Sequence, residues 1–111
     1  MTLATIISPL VPAQIRDRGR ECYYSGIVSV DSVTPEEVRA TIGGKEDCDV
    51  DLILDKRALY VSCTCPAVVE HGRACKHIWA TILAVENRNF ARNITTPIGL
   101  VVEDPDDGFD G

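Results

Sequence analysis

Three cysteines and one histidine lie close together in the second half of the chain, and they constrain the fold more than any other feature. Cys63 and Cys65 form a Cys-x-Cys pair, and Cys75 and His77 form a Cys-x-His pair after a gap of nine residues. Four thiolate and imidazole ligands suit tetrahedral zinc, at about 2.3 Å from sulfur and about 2.0–2.1 Å from nitrogen. The spacing therefore predicts one zinc ion bound by these four residues.

The cysteine content favours a metal site over disulfide bonds. The sequence has five cysteines, an odd number, and residues 1–15 lack the basic region of a secretory signal. Clustered thiols in a reducing compartment more often bind metal, so a cytoplasmic location is expected. Two alternatives stay open for the cluster, namely buried apolar thiols and a redox pair, although the redox spacing is Cys-x-x-Cys. Cys22 and Cys48 are expected to be packing residues, and His71 a solvated loop residue.

Length and charge limit the class of protein. A chain of 111 residues is the size of one domain, and no apolar run approaches the roughly 20 residues that span a bilayer. The net charge is -6, and five carboxylates lie in the last nine positions. This balance is not that of a strongly basic nucleic-acid binder. We expect a zinc-binding domain over residues 1–92 and an acidic, flexible segment over residues 93–111, with no membrane association.

Hydrophobic periodicity predicts an α+β fold. A helix is expected over residues 13–24, after Pro12, and the finger helix over residues 75–86. Alternating apolar residues predict three or four strands, within the segments 27–33, 38–42, 50–54 and 59–62. Their short connections favour hairpins. The expected architecture is a small antiparallel β-meander with an N-terminal helix and a zinc-finger helix, whereas residues 1–11 show no clean period.

The predicted elements explain how the two ligand pairs meet. Cys63 and Cys65 follow a strand, where alternate side chains point to the same side. Cys75 and His77 lie at a helix start, whose free amides stabilise thiolate charge. Four protein ligands leave no open coordination site, so the zinc is expected to be structural. Since no nucleophile–base set or carboxylate pair is visible, we expect no enzymatic activity.

Four cations surround the expected finger helix, and they are the candidate nucleic-acid contacts: Arg73, Lys76, Arg88 and Arg92. They could track phosphates, or they could form an ordinary solvated face. The segment 36–55 carries seven acids and two bases, so it would repel a phosphate backbone. Trp79, on the same helix, is expected in the core, and a role as a stacking platform for bases is the lesser alternative.

The segment Cys63-Thr64-Cys65-Pro66 followed by Cys75-Lys76-His77 resembles the SWIM zinc finger, whose pattern is Cys-x-Cys-x(n)-Cys-x-His. Residues 18–28 are similar to a Gly-Arg-x-Tyr-Tyr lead that precedes this finger in bacterial members, with a one-residue ambiguity in the spacing. The resemblance covers about residues 14–86 and implies zinc at the same four residues. It also implies a module that binds DNA or protein, found beside Swi/Snf-type helicase-like ATPases and in Mutator-type transposases.

The resulting functional expectation is a non-catalytic zinc-binding module that binds DNA, as part or partner of a helicase-like system. The chain has no Gly-x-x-x-x-Gly-Lys-[Ser/Thr] phosphate loop, so in such a system it would be an N-terminal piece or a stand-alone partner of the ATPase. The alternative is a zinc-stabilised protein–protein interaction module, which the net acidity favours because acidic surfaces attract basic partners.

Overall fold

The computed structural model describes residues 3–43, 47–55, 58–65, 75–86, 88, 90–91 and 98–103, and its fold is α+β. The helices are α1 (Leu3–Ile7), α2 (Ala13–Tyr24) and α3 (Lys76–Val85), with a short 3₁₀ turn at Ser8–Leu10. The strands are β1 (Val28–Val33), β2 (Glu37–Ile42), β3 (Cys48–Asp55), β4 (Ala58–Cys63) and β5 (Gly99–Val102).

The five strands form one sheet in the order β1-β2-β3-β4-β5. The first four pair antiparallel with their neighbours in sequence, which confirms the predicted meander. The fifth was not predicted: β5 pairs parallel with β4, with Gly99 opposite Ala58 and Val102 opposite Val61. The sheet is therefore mixed, and it includes residues from the segment 93–111, whose positions 93–97 and 104–111 lie outside the described residues.

The core lies between the inner face of the sheet and α3. Apolar side chains from neighbouring strands stand in register on this face, as with Val38, Leu52 and Val61. Helix α3 contacts β1, β3 and β4, and it buries Ile78 and Ile82 completely. Alternating side chains on β2, β3 and β4 thus supply one half of the core, and the apolar stripe of α3 supplies the other.

Helix α2 packs on α3 at Gly19, where the two helices approach closely. A Cβ atom at Gly19 would lie 2.7 Å from Cδ1 of Trp79, 2.8 Å from its Cβ and 2.9 Å from the carbonyl oxygen of Lys76. Only glycine leaves room for the Trp79 side chain at this crossing. Trp79 is 5% exposed, which confirms its expected place in the core.

The outer face of the sheet carries most of the acidic side chains of the described strands. Its carboxylates lie on β1, β2 and β3: Asp31, Glu37, Asp49, Asp51 and Asp55. Arg39 is the base among them, 3.2 Å from Glu37 and 3.9 Å from Asp51. Burial raises the pKa of Asp51, with an opposing effect from Arg39. Among the described helices, none is long and apolar enough to span a membrane.

Candidate metal centre

The first ligand pair is held at the end of the β3–β4 hairpin. Cys63 is the last residue of β4 and lies opposite Val50 of β3. The next residue, Thr64, makes two hydrogen bonds to Asp49 of β3. Its backbone N–H donates to the carbonyl oxygen of Asp49 at 3.1 Å, and its Oγ1 accepts from the N–H of Asp49 at 3.0 Å. These bonds fix the backbone that connects Cys63 to Cys65.

The second ligand pair is held by the first turn of α3. Cys75 is the N-cap residue, with extended dihedrals of φ -109° and ψ 172°, and its carbonyl oxygen accepts from the N–H of Trp79 at 3.3 Å. His77 lies within the first turn. The hydroxyl of Thr81 donates to the carbonyl oxygen of His77 at 2.8 Å, which adds a second bond to the turn.

The four side chains converge on one point. One ligand atom from each of Cys63, Cys65, Cys75 and His77 can be chosen so that all four lie within 4.8 Å of one another. Nδ1 of His77 is 3.7 Å from Sγ of Cys63 and 3.6 Å from Sγ of Cys75. Tetrahedral zinc with ordinary bond lengths requires about 3.6 Å between a sulfur and a nitrogen ligand. The residues therefore fit one zinc ion, with Nδ1 of His77 as the nitrogen ligand.

Residues 48–86 match the family model of the SWIM zinc finger. The matched range contains the four ligands together with β3, β4 and α3, so the resemblance drawn from the sequence is confirmed over these residues. No curated protein and no solved structure matches the chain. The Gly-Arg lead at residues 18–28 lies before the matched range and stays a prediction.

The ligand set is mostly shielded from water, since its three cysteines are buried and His77 is half-buried. Three sulfur ligands and one imidazole complete a tetrahedral set without a water molecule, which is the arrangement of structural zinc sites. When bound, the ion would connect the end of β4 to the start of α3. The chemistry of the donor set thus supports a stabilising role for a zinc ion at this site.

The metal-free thiols are electrostatically unequal. Cys63 donates a hydrogen bond to the sulfur of Cys75. This bond lowers the pKa of Cys75 to about 4, although burial acts in the opposite direction. Hydrogen bonds from His77 and from the amide of Ile78 contribute less to the lowering. The same bond and burial raise the pKa of Cys63. Cys75 is thus the first thiolate of the finger, and zinc binding deprotonates the remaining thiols.

The remaining residues singled out in the sequence are two cysteines, four candidate phosphate contacts and one histidine. Cys22 is buried in α2 and Cys48 is half-buried at the start of β3, and neither belongs to the described ligand cluster. Burial raises the pKa of Cys22, with Lys76 as the opposing charge. Two of the four candidate phosphate contacts, Lys76 and Arg88, are exposed. The others, Arg73 and Arg92, lie outside the described residues, as does His71.

Two features of the site were not predicted from the sequence. The first is Thr64, which positions the Cys-x-Cys turn. Its place in the sequence between two ligands could have indicated this role. The second feature is the proximity of α2 to the finger helix, because a side chain at Gly19 would touch the Lys76 carbonyl. This contact adds the arginines of α2, namely Arg16, Arg18 and Arg20, to the cations beside the finger. No local pattern in the sequence indicates that contact.

Proposed function

We propose that this chain is a non-catalytic module that binds DNA with its helical side, as part or partner of a helicase-like system in the cytoplasm. The observation that carries the proposal is the separation of charge between the two sides of the fold. Zinc acts in this proposal as a structural ion that holds the finger helix in place. The ATPase activity of such a system would lie outside residues 1–111, which contain no phosphate loop.

The helical side carries an excess of positive charge. The described cations on α2, on α3 and just after α3 are Arg16, Arg18, Arg20, Lys76 and Arg88. The carboxylates of the same elements are Asp17, Glu21 and Glu86. Lysine and arginine side chains at this side can neutralise phosphates and release counterions, which is the main source of affinity in nonspecific DNA binding.

The sheet side would repel a phosphate backbone. Its outer face combines several carboxylates with Arg39, whose charge is already engaged by Glu37 and Asp51. The long-range field of the whole chain is also unfavourable, since the net charge is -6. DNA is therefore expected to approach one side only, with modest affinity and a strong dependence on salt.

A salt-titrated binding assay with the zinc-loaded chain tests this proposal. Fluorescence anisotropy would be followed with labelled single-stranded and double-stranded DNA while the salt concentration is raised from a low value. We expect measurable binding that weakens linearly on a log–log plot of affinity against salt. Absence of binding to either DNA at low salt would refute the proposal for this chain.

A protein-interaction module is the second candidate, and the outer face of the sheet favours it. Ile53, Tyr60 and Val101 stand in one row across β3, β4 and β5, and Ile53 and Val101 are exposed. Carboxylates flank this row on β3, at Asp51 and Asp55. An apolar row bordered by acids suits a basic protein segment with apolar side chains.

Capture from nuclease-treated extract of the native host would test the second candidate. A stable partner should bind the wild-type chain and should be lost from an Ile53→Arg variant, which places a cation in the apolar row. An Arg18→Ala variant on the helical side is the matched control and should retain the partner. Equal capture by the Ile53→Arg variant would exclude the sheet face as the interface.

A further inference from the structure

Two arginines and two tyrosines line one side of α2, and we call them the basic–aromatic face. Arg16 and Arg20 are one turn apart, and Tyr23 and Tyr24 follow Arg20 by three and four positions. Residues at these spacings are neighbours on a helix surface. Gly19 and Cys22 mark the buried side of α2. Arg20 and Tyr24 are exposed on the side away from the core, and Arg16, which is half-buried, and Tyr23 lie at its border.

The cations of the basic–aromatic face are available to a ligand. Among the described residues, no carboxylate lies within ion-pair distance of Arg16 or Arg20, and the ion pairs found there both belong to Arg39. The Nε of Arg16 donates to the carbonyl oxygen of Val11 at 3.1 Å, which holds the side chain while its terminal nitrogens stay uncommitted. Asp17 lies three positions before Arg20 and is therefore its neighbour on the helix surface, but the two side chains form no ion pair. Glu21 is offset by about 100° around the helix from Arg20.

The tyrosines expose an unusual amount of aromatic surface. Tyr24 is 76% exposed and Tyr23 is 37% exposed. Their ring centroids are 5.4 Å apart with an interplanar angle of 48°, so the two rings form a bent apolar surface rather than a closed stack. Exposed rings beside arginine guanidinium groups are the combination that proteins use to bind single strands, where rings stack on bases and cations contact phosphates.

We infer that the basic–aromatic face binds single-stranded DNA, with Arg16 and Arg20 on phosphates and Tyr23 and Tyr24 stacked on unpaired bases. This inference rests on the proposed DNA binding and names the form of DNA. Paired bases within a duplex hide their faces, so the tyrosines would add little there. Phosphate contacts give a chain with a net charge of -6 only modest affinity, so stacking on unpaired bases should raise its affinity for single strands above that for a duplex.

The test compares affinities of the zinc-loaded chain for oligodeoxythymidylate and for a duplex of the same length. The oligonucleotide should exceed the usual single-strand site of about 4–16 nucleotides. Tyr24→Leu should weaken binding to the single strand about fivefold or more, because it removes one stacking ring. Tyr24→Phe keeps the ring and should retain wild-type affinity. Zinc content and the fluorescence of Trp79 would verify that each variant is folded.

A pair of arginine variants separates the basic–aromatic face from general electrostatics. Arg20→Ala and Arg18→Ala remove the same charge from the same helix, but Arg18 lies outside this face. We expect Arg20→Ala to weaken single-strand binding more than Arg18→Ala does. Equal losses from the two variants would contradict the inference.

The outcomes also separate this inference from the proposed function. Binding to DNA that is insensitive to Tyr24→Leu, or that favours the duplex, would overturn the single-strand inference and leave DNA binding intact. Absence of binding to both DNA forms would overturn the two together. Preference for the single strand, with the expected losses from Tyr24→Leu and Arg20→Ala, would support both.

Discussion

Thr64 shows how a residue that does not bind the metal can shape the site. Its hydroxyl accepts from the N–H of Asp49, and its own N–H donates to the carbonyl of Asp49. The second bond uses only the backbone and survives substitution. The first depends on the hydroxyl, so the side chain of Thr64 contributes to the position of Cys63 and Cys65 in a way that can be tested separately.

Thr64→Val should weaken zinc binding without changing its stoichiometry. The variant keeps the branched shape but loses the acceptor for the N–H of Asp49, a bond of about 0.5–1.5 kcal/mol. The expected loss in zinc affinity is about 2- to 10-fold. Thr64→Ser retains a hydroxyl and should restore most of the affinity. Competition with a chromophoric chelator measures both, and equal affinities for Thr64→Val and wild type would exclude a positioning role.

The ligand residues themselves should behave differently from the loop histidine. Cys65→Ser and His77→Ala should abolish stoichiometric zinc, whereas His71→Ala should retain one zinc per chain. The ligand variants should also lose most of their stability. A structural zinc contributes on the order of 10–16 kcal/mol of apparent binding free energy, comparable to the net stability of a domain, about 5–15 kcal/mol. Elemental analysis of the purified variants checks this, and loss of zinc from His71→Ala would refute the ligand assignment.

The ionisation of Cys75 predicts how zinc affinity depends on pH. Zinc binding requires thiolates, so affinity rises with pH, and three ordinary thiols would change log Kd by about three units per pH unit below their pKa. Because the pKa of Cys75 is lowered to about 4, this thiol is already ionised at neutral pH. In the metal-free chain this thiolate stabilises the fold most above the ordinary thiol pKa of 9.0, and the stabilisation declines as pH falls and is lost at about pH 4.

The slope of log Kd for zinc between about pH 7 and 8 should therefore be about two rather than three. Competition titrations at several pH values measure this slope on the chain after its zinc has been removed. A slope of three would show that Cys75 is protonated in the metal-free chain.

At the scale of secondary structure, most elements follow from local patterns. The apolar periodicity predicts α2, α3 and the four antiparallel strands, with ends within a few residues of those observed. Helix α1 was not predicted, since four of its five residues are buried and no polar stripe marks a helical period. The parallel strand β5 was also missed, because its pairing with β4 joins segments that are distant in sequence.

The metal site could be predicted from ligand identity and spacing, not from hydrophobic periodicity. The identity and spacing of Cys63, Cys65, Cys75 and His77 restrict the chemistry to a few metals. The basic–aromatic face was harder to predict, because its relation to the finger depends on the contact of α2 with α3. The contact depends on the three-dimensional packing of Gly19 against Trp79, which no local sequence pattern indicates.

The crossing of α2 and α3 predicts an unusual effect of Gly19→Ala. Alanine normally stabilises a helix interior by about 1 kcal/mol relative to glycine. At Gly19 the new Cβ would lie within 3 Å of Trp79 and of the Lys76 carbonyl, which belongs to the backbone and cannot rotate away. We expect a net loss of about 1–3 kcal/mol in the free energy of unfolding.

Urea denaturation of the zinc-loaded chain measures this loss. Arg18→Ala, at an exposed position of the same helix, is the control and should change the free energy of unfolding by less than about 0.5 kcal/mol. A Gly19→Ala variant as stable as wild type would show that the two helices can separate without cost.

At the scale of the whole molecule, zinc and the proposed DNA-binding surface are connected through one chain of contacts. The ion binds at the start of α3, α3 presents Trp79 to Gly19, and Gly19 lies on the helix that carries Tyr23 and Tyr24. The acidic sheet lies on the other side of α3. Loss of zinc should therefore disturb the position of α2 without any metal contact to DNA.

Trp79 makes this connection measurable, because it is the single tryptophan of the sequence and is 5% exposed in the folded chain. Removal of zinc by a chelator should expose the ring and shift its emission to longer wavelength, with a parallel loss of single-strand binding. Zinc should restore both signals. Magnesium should restore neither, since it prefers oxygen ligands. If a chain verified as metal-free kept the buried emission and its affinity for DNA, the finger would not be needed to hold α2 on α3.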